Sequence, residues 1–345
     1  MSNLITAPGS GNYGKLARVV DSKQERAKMW ANHLIDNKDG IVVNNTSGTL
    51  HYDDHKRMLD DVVEARKYMP TGFRTLSAVP GISVAASLTD MLVGYQDMNE
   101  FTAKTSMNGS NRQSNQSDYR YNWVPQPIYH CDFEIPWRQG GFAYKSADGA
   151  TEAAMQVELE RDKTLFLGND QIIVNVNGVD AQLFGLTNAP GVLQLAGAIS
   201  DWAVTANIDA IVPEFIANIL KPMYATKKAA QVPNSLIVFV ANDIYMNLEN
   251  DYSTQKGDRT VMQRMQAIAS VRDVMPCQWL ADGEVVVVEA LPMSIRIPQA
   301  VDTTVMPWQR VEEMENLKFT CMAASTLQVR KDRNDATGVA RATKQ

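Results

Sequence analysis

Residues 184–192 read Phe-Gly-Leu-Thr-Asn-Ala-Pro-Gly-Val, a loop in which nothing serves as a nucleophile, a general base or a metal ligand. Pro190 fixes its own φ, and the glycines accept backbone angles that side chains exclude, so the loop makes a stiff, reproducible bend. Such a bend serves geometry, not chemistry. Immediately upstream, QIIVNVNGVDAQ (171–182) reads as strand, turn and strand. Before it, TEAAMQVELERDKTLFL (151–167) consists of strong helix formers with Met155, Leu159 and Phe166 on one side. Asp148 is the expected N-cap of that helix and Gly168-Asn169 its stop.

Further upstream the chain changes character. Residues 106–118, SMNGSNRQSNQSD, are polar and turn-forming except for Met107. Beyond them Tyr129, Cys131, Phe133, Ile135 and Trp137 alternate with His130, Asp132, Glu134 and Pro136, a strand with one apolar face. Together with FTAKT at 101–105 this predicts a long β-hairpin with a wide polar tip. A two-stranded hairpin is marginal in water, so its apolar face is expected to rest on another surface. Nearer the start, residues 22–36 and 53–68 have helical spacing, NNTSGT (44–49) is a loop, and residues 1–14 are rich in Gly, Ser, Asn and Pro.

Downstream, Ile208, Ile211, Val212, Phe215, Ile216, Ile219, Leu220 and Met223 define an amphipathic helix, with Pro213 in its first turns and Pro222 expected to kink or end it. A buried strand (235–240), short helices near 242–249 and 258–269, strands at 284–290 and 293–299, and a strand-like stretch at 318–329 follow.

An apolar share of 45% in 345 residues is enough for a sizeable core. No apolar run is long enough for a membrane helix, and no signal segment is visible, so no membrane partner is expected and the protein is expected to act in the cytoplasm where it is made. Three widely spaced cysteines imply neither a disulfide framework nor a zinc site. Lys15, Arg18, Lys23, Arg26 and Lys28 face only Asp21 and Glu25, and the tail sets Arg330, Lys331, Arg333, Arg341 and Lys344 against Asp332 and Asp335. Each end is therefore +3, and a chain of net charge −6 carries −12 between them. Basic ends on an acidic body suit polyanions or a neighbouring copy of the same protein.

Candidate chemistry is sparse. Gly9 to Lys15 matches G-x4-G-K, but Leu16 stands where a P-loop needs Ser or Thr, and no buried strand precedes it. His51 and His55 in HYDDH are four apart, the spacing of two metal ligands on a helix, without the adjacent Glu of a hydrolytic zinc helix or an identifiable third ligand. Asp53 or Asp54 as a helix cap accounts for the motif better, and a metal-dependent hydrolase on His51 and His55 is the remote alternative. Glu158 and Glu160, two apart, do not face each other. No catalytic residue, cofactor site or metal site is assigned, and the chain is not expected to be an enzyme.

The order of parts carries more than any of these motifs. Gly185, Leu186, Asn188, Pro190 and Gly191 match, position for position, the G-L-x-N-x-P-G loop that follows the spine helix in the Hong Kong ninety-seven-type capsid fold. From roughly residue 95 to 330 the chain resembles that α+β fold, which belongs to tailed-phage major capsid proteins and encapsulins. The resemblance implies an N-terminal arm (1–50), a lead-in to the peripheral domain (51–99) and an extended E-loop hairpin (100–140). It then implies a peripheral domain (141–204) with its spine helix at 148–168, an axial domain (205–297), and a peripheral return strand with a C-terminal tail (298–345).

It further implies a structural major capsid protein that assembles with itself, as pentamers and hexamers, into an icosahedral shell around double-stranded phage DNA held by non-specific contacts. Such a protein is located in the virion and assembled in the host cytoplasm. Portal, scaffolding and cement proteins are the implied partners; no large extra N-terminal domain is visible, so the scaffold is expected to be a separate protein. Expected contacts between subunits are Lys15, Arg18, Arg26 and Lys28 on the arm, then Lys104, Arg112, Tyr119, Arg120, Tyr129, Phe133, Ile135 and Trp137 on the hairpin. No cross-linking partner for Lys104 can be assigned. An encapsulin-type nanocompartment shell is the alternative; the basic arm and long polar tip favour the phage reading.

Overall fold

The computed structural model describes residues 72–98, 121–135, 142–176, 178–226, 232–250, 259–307, 316–332 and 335–345. In chain order the first elements are α1 (Gly72–Ser77), β1 (Ser83–Ala85), β2 (Leu92–Gln96), β3 (Tyr121–Pro125), β4 (Ile128–Ile135) and α2 (Phe142–Leu167). The strands β5 (Asn169–Val176), β6 (Val179–Leu183) and β7 (Leu193–Ile199) follow, then α3 (Ile208–Glu214), a π-helical stretch (Phe215–Leu220) and α4 (Lys221–Thr226). The remainder comprises β8 (Leu236–Ala241), α5 (Asn242–Leu248), α6 (Val261–Gln266), β9 (Val271–Cys277), β10 (Glu284–Glu289), β11 (Ile295–Pro307), β12 (Leu317–Ser325), β13 (Gln328–Val329) and β14 (Val339–Lys344). The fold is α+β, as the sequence implies.

The chain divides into two compact units. In the larger (69–129, 158–302 and 323–345), a five-stranded sheet runs in the order β7-β14-β10-β8-β9. β14 lies antiparallel to β10 and parallel to β7, while β8 lies antiparallel to β10 and parallel to β9. The apolar runs LIVFVA and EVVVVE are buried at every position because the sheet has a core on each face. Ile237, Phe239, Val286, Val288 and Val339 point into one core with Phe166 and Leu186; Leu236, Val238, Val240, Val285, Val287, Ala340 and Ala342 point into the other with Trp202, Ile211, Phe215 and Ile219. This period of two divides consecutive side chains between the cores.

The helical stretch 208–226 does not end at Pro222. Pro222 has no N–H to give to a preceding carbonyl, and the helix widens into the π-helical turn at 215–220 just before it. The segment 339–344, expected within a tail, is instead a strand inside the sheet, where the Arg341 guanidinium pairs with the buried Glu284 carboxylate.

The smaller unit (1–68, 130–157 and 303–322) contains most of β4, the first part of α2, and the facing portions of β11 and β12. Its strand β4 does show the expected alternation: His130, Asp132 and Glu134 are exposed, and Cys131 and Phe133 are half-buried. The partner expected for it at 101–105 lies outside the described residues. β4 neighbours β12, with Phe133 stacked on Phe319 at 5.1 Å and Thr320 Oγ1 donating to Asp132 (2.6 Å). In the larger unit β2 and β3 pair antiparallel as a hairpin, from Leu92↔Pro125 to Gln96↔Tyr121. The helix α2 also begins earlier than expected, at Phe142, so Asp148 is within it and is not its cap. Gly149 interrupts the helix-forming composition for a packing reason: a Cβ there would lie 3.0 Å from the Phe133 ring.

Among the described residues no helix is long and apolar enough to cross a membrane.

Candidate functional site

The loop at 184–192 folds against the end of α2 and satisfies its last carbonyls. A helix leaves its last four carbonyls without partners of its own. Here Gly168 N donates to Thr164 O (2.8 Å), Leu186 N to Leu165 O (2.9 Å), and Thr187 N to Phe166 O (3.0 Å). Thr187 Oγ1 adds a second bond to Phe166 O (2.8 Å), and Asn188 Nδ2 donates to Leu167 O (2.9 Å). The Asn188 amide also receives Gly185 N on its oxygen (2.7 Å). Gly168 has φ +70°, and Gly185 has backbone from Phe166 and Gly168 where its side chain would be. Leu186 is fully buried. The bend foreseen in the sequence is therefore a polar cap that locks the β6–β7 connection onto the end of α2. Gly191, at φ +90°, continues this contact network: a Cβ there would strike Asp335 O, and Thr337 Oγ1 donates to Gly191 O (3.1 Å).

One turn back along α2, two buried charges lie side by side. Arg161, 1% exposed, donates to Ser325 Oγ (2.8 Å) and Glu158 (3.2 Å), lies 3.6 Å from Asp302, and places its guanidinium 3.5 Å from the Phe73 ring centroid. Asp162 accepts Phe73 N (2.9 Å) and Trp279 Nε1 (3.1 Å), attaching α1 and the β9–β10 connection to the helix. Burial raises its carboxyl to about 6, against these hydrogen bonds, which lower it. No motif in the sequence singles out either residue. Their signal was available: a charged pair next to Leu165 and Phe166 on a helix whose apolar side must be buried.

The hairpin β2–β3 borders an open cleft of about 340 Å³, lined among others by Tyr95, Trp123, Phe184, Pro190 and Lys331. The Tyr121 ring, also at the cleft, covers Gly94, whose lack of a side chain leaves room for it. Tyr121 and Trp123 meet edge to face at 5.1 Å and both remain exposed.

Of the residues expected to contact neighbouring subunits, Tyr129 is buried in its own chain, its hydroxyl hydrogen-bonded with Thr164, and burial pushes its phenol upward. Phe133 spends one face on Phe319. The apolar face of β4 thus already has a partner within the chain. Lys15, Arg18, Arg26, Lys28, His51, His55, Lys104, Arg112, Tyr119, Arg120, Trp137 and the G-x4-G-K segment lie outside the described residues, as does the side chain of Ile135. Gly185, Leu186, Asn188, Pro190 and Gly191 come together as one loop. Among the described residues no group of three or more His, Cys, Asp or Glu gathers as a metal site.

Solved structures share the fold. The virus-like particle from Pyrococcus furiosus aligns with a TM-score of 0.57 at 10% identity, over 83% of this chain and 98% of that one. The capsid of Myoviridae phage XM1 aligns at 0.52 and 12% identity over 78% and 92%, and the capsid of an empty GTA particle at 0.50 and 10% identity over 80% and 97%. At such identities the likeness establishes the capsid-type fold alone. No curated protein matches the sequence. A family model described as a family of unknown function, DUF6260, matches residues 45–342, and the chain belongs to that family.

Proposed function

We propose that this chain is a major capsid protein whose copies tile a closed icosahedral shell around double-stranded phage DNA. The observation that carries the reading is the coincidence of the G-L-x-N-x-P-G loop, locked onto the end of the spine helix, with a fold shared across nearly the whole length of shell subunits. A tile repeated in one shell needs its parts held at reproducible angles, and the loop supplies that rigidity where strand and helix meet. The activity is physical: weak contacts at several interfaces together retain each subunit.

On this reading the hairpin tip and the basic arm reach neighbouring copies, the axial domains meet around five-fold and quasi-six-fold axes, and the acidic body limits adhesion to a genome that must slide during packaging. A separate scaffolding protein, a portal and a cement protein complete the assembly, which takes place in the host cytoplasm and ends in the virion. The alignment with a virus-like particle favours a second reading, a nanocompartment shell that encloses a cargo protein.

Purified chain, alone and with candidate scaffolds, examined by negative-stain microscopy and sedimentation, tests the proposal. Shells, tubes or capsomer rings support it, and a persistent monomer or dimer with scaffold supplied refutes it. Nucleic acid inside isolated particles favours the phage shell, and protein inside favours the compartment.

A further inference from the structure

The outer end of the hairpin strand β2 is tied to the segment that follows β13. Arg330 Nε donates to Gln96 O (2.8 Å) and its Nη2 to Asp97 O (3.3 Å). Lys331 N donates to the Asp97 carboxylate (3.2 Å), and Met98 N donates back to Lys331 O (2.8 Å). The tie has a firm base: Arg330 N bonds Ser294 O (2.9 Å), and the residue before it, Val329, pairs with Ile295 of β11. Asp97 is 7% exposed, so its contacts are made out of bulk water.

The cleft of about 340 Å³ beside the hairpin shows what this tie must do. Protein interiors fix their parts by close packing, and over the cleft the hairpin lacks close-packed neighbours. Val124 of β3 is buried and β3 packs near β5 and β6, so on the cleft side the polar contacts at the outer end add the hold on direction that packing there does not supply. A guanidinium suits this task because its donors are held in one plane and can engage two successive carbonyls, which an ammonium on a flexible stem cannot reproduce.

We infer that Arg330 and Asp97 form a clamp that sets the direction in which the hairpin leaves its own fold, and thereby the place where its tip meets a neighbouring copy. The second half of this inference rests on the shell reading above. Arg330 is a positioning residue: it acts through the hairpin.

Hydrogen–deuterium exchange on the full chain tests the clamp, comparing wild type with Arg330→Ala and the charge-preserving Arg330→Lys. In both variants the amides of 92–98 and 121–124 should exchange about ten-fold faster, while those of β8 and β10 keep wild-type rates. Unchanged hairpin exchange overturns the clamp, and so does an equal rise in β8 and β10, which marks a general loss of stability. If Arg330→Ala does not fold, Arg330→Lys decides the matter. Particles assembled from Arg330→Lys should differ from wild type in diameter or closure; identical particles overturn the link to the neighbour. If wild type itself forms no particles, the shell reading fails, and the exchange result still judges the clamp.

Discussion

Gly168 and Gly185 meet backbone to backbone: a Cβ built on Gly168 would lie 2.6 Å from the amide nitrogen of Gly185, and one built on Gly185 would strike the nitrogen of Gly168. Neither contact can relax by moving a flexible side chain, because both partners are main chain. Gly185→Ala and Gly168→Ala should each destabilise the fold by about 3 kcal/mol, read as a shift in urea midpoint. Gly178 supplies the control. It has φ +83° but nothing within 4 Å of its would-be Cβ, so Gly178→Ala should cost only about 1 kcal/mol.

The Asn188 amide uses both ends, receiving Gly185 N and donating to Leu167 O. Asn188→Asp keeps the acceptor, removes the donor, and places a negative charge at the negative end of the α2 dipole. It should destabilise by about 1–2 kcal/mol and more than Asn188→Ala, measured by thermal unfolding at pH 7.

Asp162 gives stability a defined pH dependence. Its folded carboxyl titrates at about 6 against an ordinary 3.8, so the folded chain binds more protons than the unfolded one across that window. Stability from this group is therefore greatest at low pH and falls as pH rises from about 4 to about 6, by an amount on the order of 2–3 kcal/mol. Asp162→Asn should lose this slope. Because its amide must turn an N–H towards either Phe73 N or Trp279 Nε1, it should also be less stable than wild type at pH 4.

Glu214 should behave with the opposite sign. One carboxylate oxygen accepts Ser200 N (2.9 Å), Ser200 Oγ (2.9 Å) and Trp202 Nε1 (2.8 Å). Burial raises the carboxyl, but these bonds together outweigh it and hold it below its ordinary value. Its contribution is present above the ordinary carboxylate range and is lost as pH falls through the depressed value. Glu214→Ala leaves the indole N–H of the fully buried Trp202 without this acceptor and should cost about 1–3 kcal/mol in chemical denaturation.

The sequence discloses what is local and hides what is paired across distance. FGLTNAPGV announces a rigid bend, and the runs LIVFVA and EVVVVE announce buried strands, because their composition is their structural cause. That Leu186, Thr187 and Asn188 would cap Leu165, Phe166 and Leu167 requires knowing where the helix end lies in space. The alternation from Tyr129 to Ile135 reveals a strand with one apolar face, but a period of two does not name the strand beside it, and Phe319 is far along the chain. Gly149 lies inside α2 against its propensity, and only the Phe133 ring beside it explains why. Arg341 and Lys344 look like a charged tail until Glu284 supplies a buried partner for the first of them.

The position of β14 bears on how the protein is made. Among the described strands β7 joins its sheet through β14, which lies between β7 and β10, so the ribosome has delivered β7, β8, β9 and β10 before the strand that unites them exists. Until residues 339–344 emerge, β7 has no place in the sheet and the Val285–Val288 edge of β10 is open. A nascent or prematurely released chain therefore exposes an unpaired apolar strand edge, a substrate for chaperones and proteases, and only a chain translated through Lys344 can close it.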